Sequence, residues 1–106
     1  MSVRISEDGV SVADDLVSIR REIDGIDADL LDLIHRRLRL AQATIEVKQR
    51  EGLASTDGRR EAEVVRLAAE RARERGLEPE LIREIFWRLI ELSRTSVRQS
   101  AGARAG

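Results

Sequence analysis

From Leu16 to Val47 steps of three and four give a mostly apolar series: Leu16, Ile19, Ile23, Ile26, Leu30 and Leu33, then Arg37, then Leu40, Thr44 and Val47. That is the a/d alternation of a helix–helix seam, carried through more than four heptads without Pro and with one Gly, Gly25. A helix over this stretch is ~48 Å long, at a rise of ~1.5 Å per residue. A compact globule of this size has a radius of gyration of only ~13 Å. Such a helix cannot fold back inside its own chain, and its seam is expected to meet a second copy of itself. Arg37 falls on the seam where an apolar residue is expected. A guanidinium there needs an anionic partner, or its desolvation costs several kcal/mol.

The remaining pattern is also helical. Ser11 can cap the long helix, with Asp14 and Asp15 favouring its first turn. The helix should end near Glu51–Gly52, with Gly52 as the left-handed cap. Thr56 or Asp57 can start a second helix through Val64, Val65, Ala68 and Ala72 to Arg75, where Gly76 ends it. Pro79 suits the first turn of a third helix, which carries Ile82, Ile85, Phe86, Leu89, Ile90 and Ser93 on one face. No strand of useful length and no internal repeat is evident. The expected fold is all-α, three helices per chain with one very long first helix. Residues 11–99 would form one helical domain, with residues 1–10 a flexible N-terminal arm and 100–106 a flexible tail.

Composition narrows this picture. The 106 residues suffice for one domain, and 37% of them are charged with a net charge of −1. No overall field therefore draws the chain to nucleic acid or to a membrane surface. Phe86 and Trp87 are the only aromatics, which argues against a β-sandwich or barrel core. Cys is absent, which removes thiol chemistry and fits a reducing cytoplasm. The single His, His35, cannot build a His-rich metal site. No apolar run approaches a membrane span and the N-terminus lacks an apolar signal core, so a cytoplasmic protein is expected.

Helix geometry then sorts the charges. Arg37 and Lys48 are eleven residues apart and share a face to within ~20°. Arg20 lies ~100° around the helix from Arg37 and some ~25 Å along it, so it can reach such a pocket only from an antiparallel partner copy. Asp57 lies one turn from Arg60 and Glu61 on the second helix, and Ser93 and Val97 share a stripe on the third. A pocket of Arg37, Lys48 and Arg60, completed by Arg20 from a second subunit and with Asp57 and Glu61 as its acids, suits a small dicarboxylate bearing hydroxyl or amine groups. There is no nucleophile–base pair and no metal cluster, so any catalysis would come from positioning and fixed charge. Each residue also has a plainer reading. Arg20, Arg60 and Glu61 fit solvated surface charges, Arg37 a register-setting or snorkelling residue, and Lys48 a helix-dipole partner. Asp57 fits an N-cap, Ser93 a small packing residue, His35 a surface residue and Trp87 core or interface.

The ordered set Ile19-Arg20-x-x-Ile23-x-x-Ile26-Asp27-x-x-Leu30-Leu31, then Arg36-Arg37-x-x-Leu40-Ala41, Lys48, and Asp57-x-x-Arg60-Glu61 resembles the all-helical chorismate mutases (AroQ class). The similarity covers about Leu16 to Val97 and needs no gap between Arg20 and Glu61. The resemblance implies an intertwined homodimer and a cofactor-free Claisen rearrangement of chorismate to prephenate, toward Phe and Tyr. It implies further that Arg20 of the partner subunit and Arg37 clamp the substrate carboxylates, and that Lys48 donates to the ether oxygen. By the same carry-over Arg60 helps close the pocket, Asp57 and Glu61 fix the ring at its 4-substituent, and Ser93 contacts a carboxylate.

One departure stands out. The family usually has Gln or Glu four residues after the Ser as a second donor to the ether oxygen, and here that position is Val97. Losing such a donor can cost ~2.7–4 kcal/mol. Either Lys48 works alone and slowly, or Gln99 replaces the donor from a shifted helix end, or the substrate differs. Gly58 is also smaller than the apolar residue common there. Three relatives of the leading function stay open: a mutase of 4-amino-4-deoxychorismate, whose ammonium Asp57 and Glu61 could also accept from; an isochorismate-pyruvate lyase, less suited to those two acids; and a weak mutase that needs a partner enzyme of the shikimate pathway. A coiled-coil dimeriser without catalysis is the reading from a different class, and Arg37 on the seam speaks against it.

Overall fold

A computed structural model of the chain describes residues 12–54 and 57–105, with the side chains of 97–105 left out. It consists of three helices: α1 (Val12–Arg50), α2 (Gly58–Glu74) and α3 (Pro79–Ala105), and the described residues hold no strand. The expected all-α class and helix order are as the apolar spacing predicts. Ser11, Thr56 and the arm 1–10 lie outside the described residues. The third helix continues through Ala105, past Gln99 where the sequence reading ends the domain. Its last residues include Ala101, Ala103 and Ala105 and no Pro, and the alanines favour the helix where Gly102 disfavours it.

Both helix C-termini are closed by the same backbone device. Gly52 and Gly76 each sit at φ 70°, in the left-handed region. After α1 the Gly52 N–H donates to the Gln49 carbonyl at 3.2 Å and the Leu53 N–H to the Lys48 carbonyl at 2.8 Å. After α2 the Gly76 N–H donates to Arg73 at 3.1 Å and the Leu77 N–H to Ala72 at 2.8 Å. Each pair of reversed bonds is a Schellman closure, which satisfies carbonyls that a helix end otherwise leaves bare. The helix starts use side chains. Asp57 Oδ1 accepts from the Arg60 N–H at 3.1 Å and caps α2. Ahead of Pro79, Glu78 accepts from the Glu80 N–H at 3.2 Å through its carboxylate and from the Ile82 N–H at 3.1 Å through its carbonyl.

The chain divides into two compact units, residues 1–35 and 36–106. In the first, the described residues form one stretch of α1, and its apolar side chains Leu16, Ile23, Ile26, Leu30 and Leu33 are all exposed. Indeed α1 buries no residue anywhere along its length. In the second unit α2 packs against α3, and the core lies between them: Val65, Ala68, Ala69 and Ala72 from α2 with Ile90 from α3. The α2 positions follow the i, i+3, i+4, i+7 stripe of a helix face, and three of the four are Ala. Small side chains at the contact bring helix axes toward the close end of the usual ~8–10 Å range. Ala69, fully buried, belongs to this stripe although the sequence reading did not place it there. Ile85 is a correction in the other direction. It is 52% exposed, because it lies about 100° from the Ile82–Phe86–Ile90 side of α3, with Leu81 and Leu92 on the outer surface. Among the described residues no helix is long and apolar enough to cross a membrane.

Two substitutions test these features. Open space surrounds the Cβ that Gly76→Ala would add, so its cost is the left-handed backbone alone. The substitution should lower unfolding free energy by ~1–2 kcal/mol in urea titrations. Ala69→Leu, which forces a large side chain into the closed α2–α3 seam, should cost ~1–3 kcal/mol in the same measurement. A wild-type urea midpoint for either variant would contradict the corresponding account.

Candidate active site

The second unit contains an open cleft of about 450 Å³. Its floor is apolar, formed by Val64, Leu67, Ile82 and Phe86, and four arginines edge it: Arg37, Arg60, Arg71 and Arg75. The α2 contribution is one stripe, since Arg60, Val64, Leu67, Arg71 and Arg75 fall within about 80° of the helix circumference. Arg60 forms an exposed ion pair with Glu63 one turn on. Arg75 donates to the Arg71 carbonyl at 2.9 Å.

Arg37 is the site's central cation. It is half-buried on the C-terminal half of α1, and its Nη1 donates to Ser93 Oγ of α3 at 3.4 Å, a long and weak bond. Ser93 is buried and donates in turn to the Leu89 carbonyl at 3.0 Å, one turn back on its own helix. Among the described residues no carboxylate pairs with Arg37. A guanidinium that is partly desolvated and meets a neutral hydroxyl keeps donors suited to an anion.

The acids expected to join it are engaged elsewhere. Glu61, whose side chain is only 18% exposed, is gripped from α3 by Arg94. Arg94 Nε donates to Glu61 Oε2 at 2.9 Å, and Nη2 donates to Oε1, a two-point guanidinium–carboxylate pair. The bond to Glu61 and then its charge raise the Arg94 pKa, Glu91 adds to this, and desolvation opposes it. Asp57 is exposed and spends its carboxylate on the α2 N-terminus, as its plainer reading has it. Asp57 thus takes the Arg60 N–H, while the Arg60 and Glu61 side chains turn to Glu63 and Arg94.

Lys48 is half-buried in the last turn of α1, and it does not line the cleft. Arg20 is exposed on α1 within the first unit. The helix passes through Val97 and Gln99, but their side chains lie outside the described residues. At Gly58 no atom lies within 4 Å of where a Cβ would stand. His35 and Trp87 are exposed and line no part of the cleft. No group of three or more His, Asp or Glu among the described residues could hold a metal ion.

Sequence reasoning missed Arg71, Arg75 and Arg94. The first two carried a signal, their place on the Arg60–Val64–Leu67 stripe. Arg94 carried none, because its partner lies thirty-three residues away on another helix and only the α2–α3 packing brings them together.

Comparison with known proteins shows the family of the chain. Residues 19–97 match the family described as chorismate mutase type II, a span that includes Arg20, Arg37, Lys48, Asp57, Arg60, Glu61, Ser93 and Val97. The chain is 37% identical over 82 residues to the "T-protein" of Enterobacter agglomerans, an alignment covering 77% of this chain and 22% of that protein. The chain therefore spans about a fifth of that relative's length. No solved structure matches. A long first helix followed by an α2–α3 hairpin, with a match that covers most of the chain, places this protein in the chorismate mutase type II family.

Proposed function

We propose that the chain rearranges chorismate to prephenate without a cofactor, as a homodimer with two sites. The observation that carries this reading is Arg37, half-buried, facing Ser93 and lacking a carboxylate partner among the described residues, on the edge of a cleft that Arg60 also lines. Chorismate brings two carboxylates to such a cleft. One would pair with Arg37 and touch Ser93, and the other would be clamped by Arg20 of a second copy. Lys48, on the same face of α1 as Arg37, would donate to the ether oxygen, where negative charge grows as the C–O bond breaks. Asp57 and Glu61 would hold the 4-substituent, and Arg60 would close the cleft beside them. The reaction is unimolecular and needs no proton transfer. The site acts by selecting the compact chair-like conformer and by presenting fixed cations that need little reorganisation.

The exposed stripe on α1 supports the dimer. Leu16, Ile23, Ile26, Leu30, Leu33 and Leu40 are 44–66% exposed, an apolar seam open to a second copy. Charge supports it as well: residues 12–35 carry seven acids against two arginines, and the cleft of residues 37–86 is edged by four arginines. An acidic, apolar α1 from a second copy complements a basic, apolar groove.

Loss of the chorismate enol-ether absorbance with the full chain alone tests the reading, and absence of turnover would overturn it. Arg37→Ala should reduce kcat/KM by roughly 10²–10³ while the elution volume in size exclusion stays that of the wild-type dimer. Val97→Gln, which supplies a second donor toward the ether oxygen, should raise kcat by about tenfold or more with little change in helical content.

A further inference from the structure

Arg94 lies outside the machinery described so far. It does not line the cleft, yet it follows Ser93 directly on α3 and holds Glu61, which follows the cleft residue Arg60 on α2. Its grip is two-point, one guanidinium nitrogen on each carboxylate oxygen. Two consequences follow from that geometry. The Glu61 carboxylate is fixed in rotation, with both oxygens anchored. Its charge is also matched by a cation before any ligand arrives, so the pair is neutral as a unit.

An ionised carboxylate has about four lone-pair sites, and Arg94 occupies two of them. The remaining capacity can accept a hydrogen bond from a neutral hydroxyl. An ammonium at the same place meets a carboxylate already neutralised, and its own charge is repelled by the guanidinium behind it. We infer that Arg94 sets the substrate's 4-substituent: by pairing with Glu61 it favours a hydroxyl over an ammonium at that position. The inference rests on the proposed placement of the 4-substituent against Glu61. Arg94 is a positioning residue here, acting through Glu61 and touching no reacting atom.

The experiment compares kcat/KM for chorismate and 4-amino-4-deoxychorismate, using the full-length chain. Wild type should favour chorismate. Arg94→Ala should move the ratio toward the amino compound by about three- to tenfold, a range suited to a pair with one half-exposed partner. Arg94→Lys, which keeps the positive charge, should leave the ratio within about twofold of wild type. In a Glu61→Gln background Arg94→Ala should no longer move it. Arg94→Gln fills more of the same volume without charge, and supplies the ratio if the alanine variant loses helical circular dichroism. An unchanged ratio in the neutral variants, an equal shift in the Glu61→Gln background, or a wild-type preference for the amino compound overturns the inference while leaving the mutase reading standing. Wild-type silence on both compounds overturns the mutase reading itself and this inference with it.

Discussion

The close approach of α2 to α3 governs where every polar side chain of the second unit can reach. Val65, Ala68, Ala69 and Ala72 present so little bulk that the two helices meet along most of α2, with Ile90 between them. At that separation a guanidinium on α3 spans to a carboxylate on α2, and Arg94 meets Glu61 at both ends of its planar fork. The same contact buries Ser93 and turns its hydroxyl to the Leu89 carbonyl, which leaves Oγ placed for Arg37. With larger residues in the seam the hairpin could still form, but these reaches would lengthen together. The polar geometry therefore depends on alanine, a residue with no chemistry of its own.

α1 presents the opposite case. Its apolar stripe is as regular as any in the chain, yet none of it is buried within one copy. Exposed side chains scattered singly would need no comment, but a continuous stripe of Leu and Ile along a helix is a surface built to be covered. The same helix carries Arg37, which edges the cleft, so the element that buries no residue of its own also supplies a cation to the candidate site.

Elements were more legible in the sequence than contacts. Helix ends could be read because Gly52, Gly76, Asp57 and Pro79 act on their own backbone neighbourhood, within about one turn. Arg37 could be read because one charge on an apolar seam violates the local pattern. The destination of Glu61 could not, since nothing within a few residues of it points to Arg94, and the pair exists only once α2 and α3 are docked. Ile85 was misplaced for a related reason. A helix face is a range of angles, and only the observed packing shows where its edge falls. Helix spacing placed Asp57 and Glu61 together as acids, whereas the folded chain gives one to a helix terminus and the other to an arginine.

The two glycine closures bear on how this chain can change over time. Each reversal of direction is written in main-chain bonds around one residue, at Gly52 and at Gly76, with no side chain of the connecting segments required for it. Apart from Asp57 and Glu78, whose carboxylates cap the helices that follow, the residues of those connections are largely free of the fold and open to drift. The two glycines, neither of them touching the cleft, are not. A lineage can rewrite its loops and keep its hairpin, but loses the stop signal of a helix by exchanging a single hydrogen atom for a methyl group.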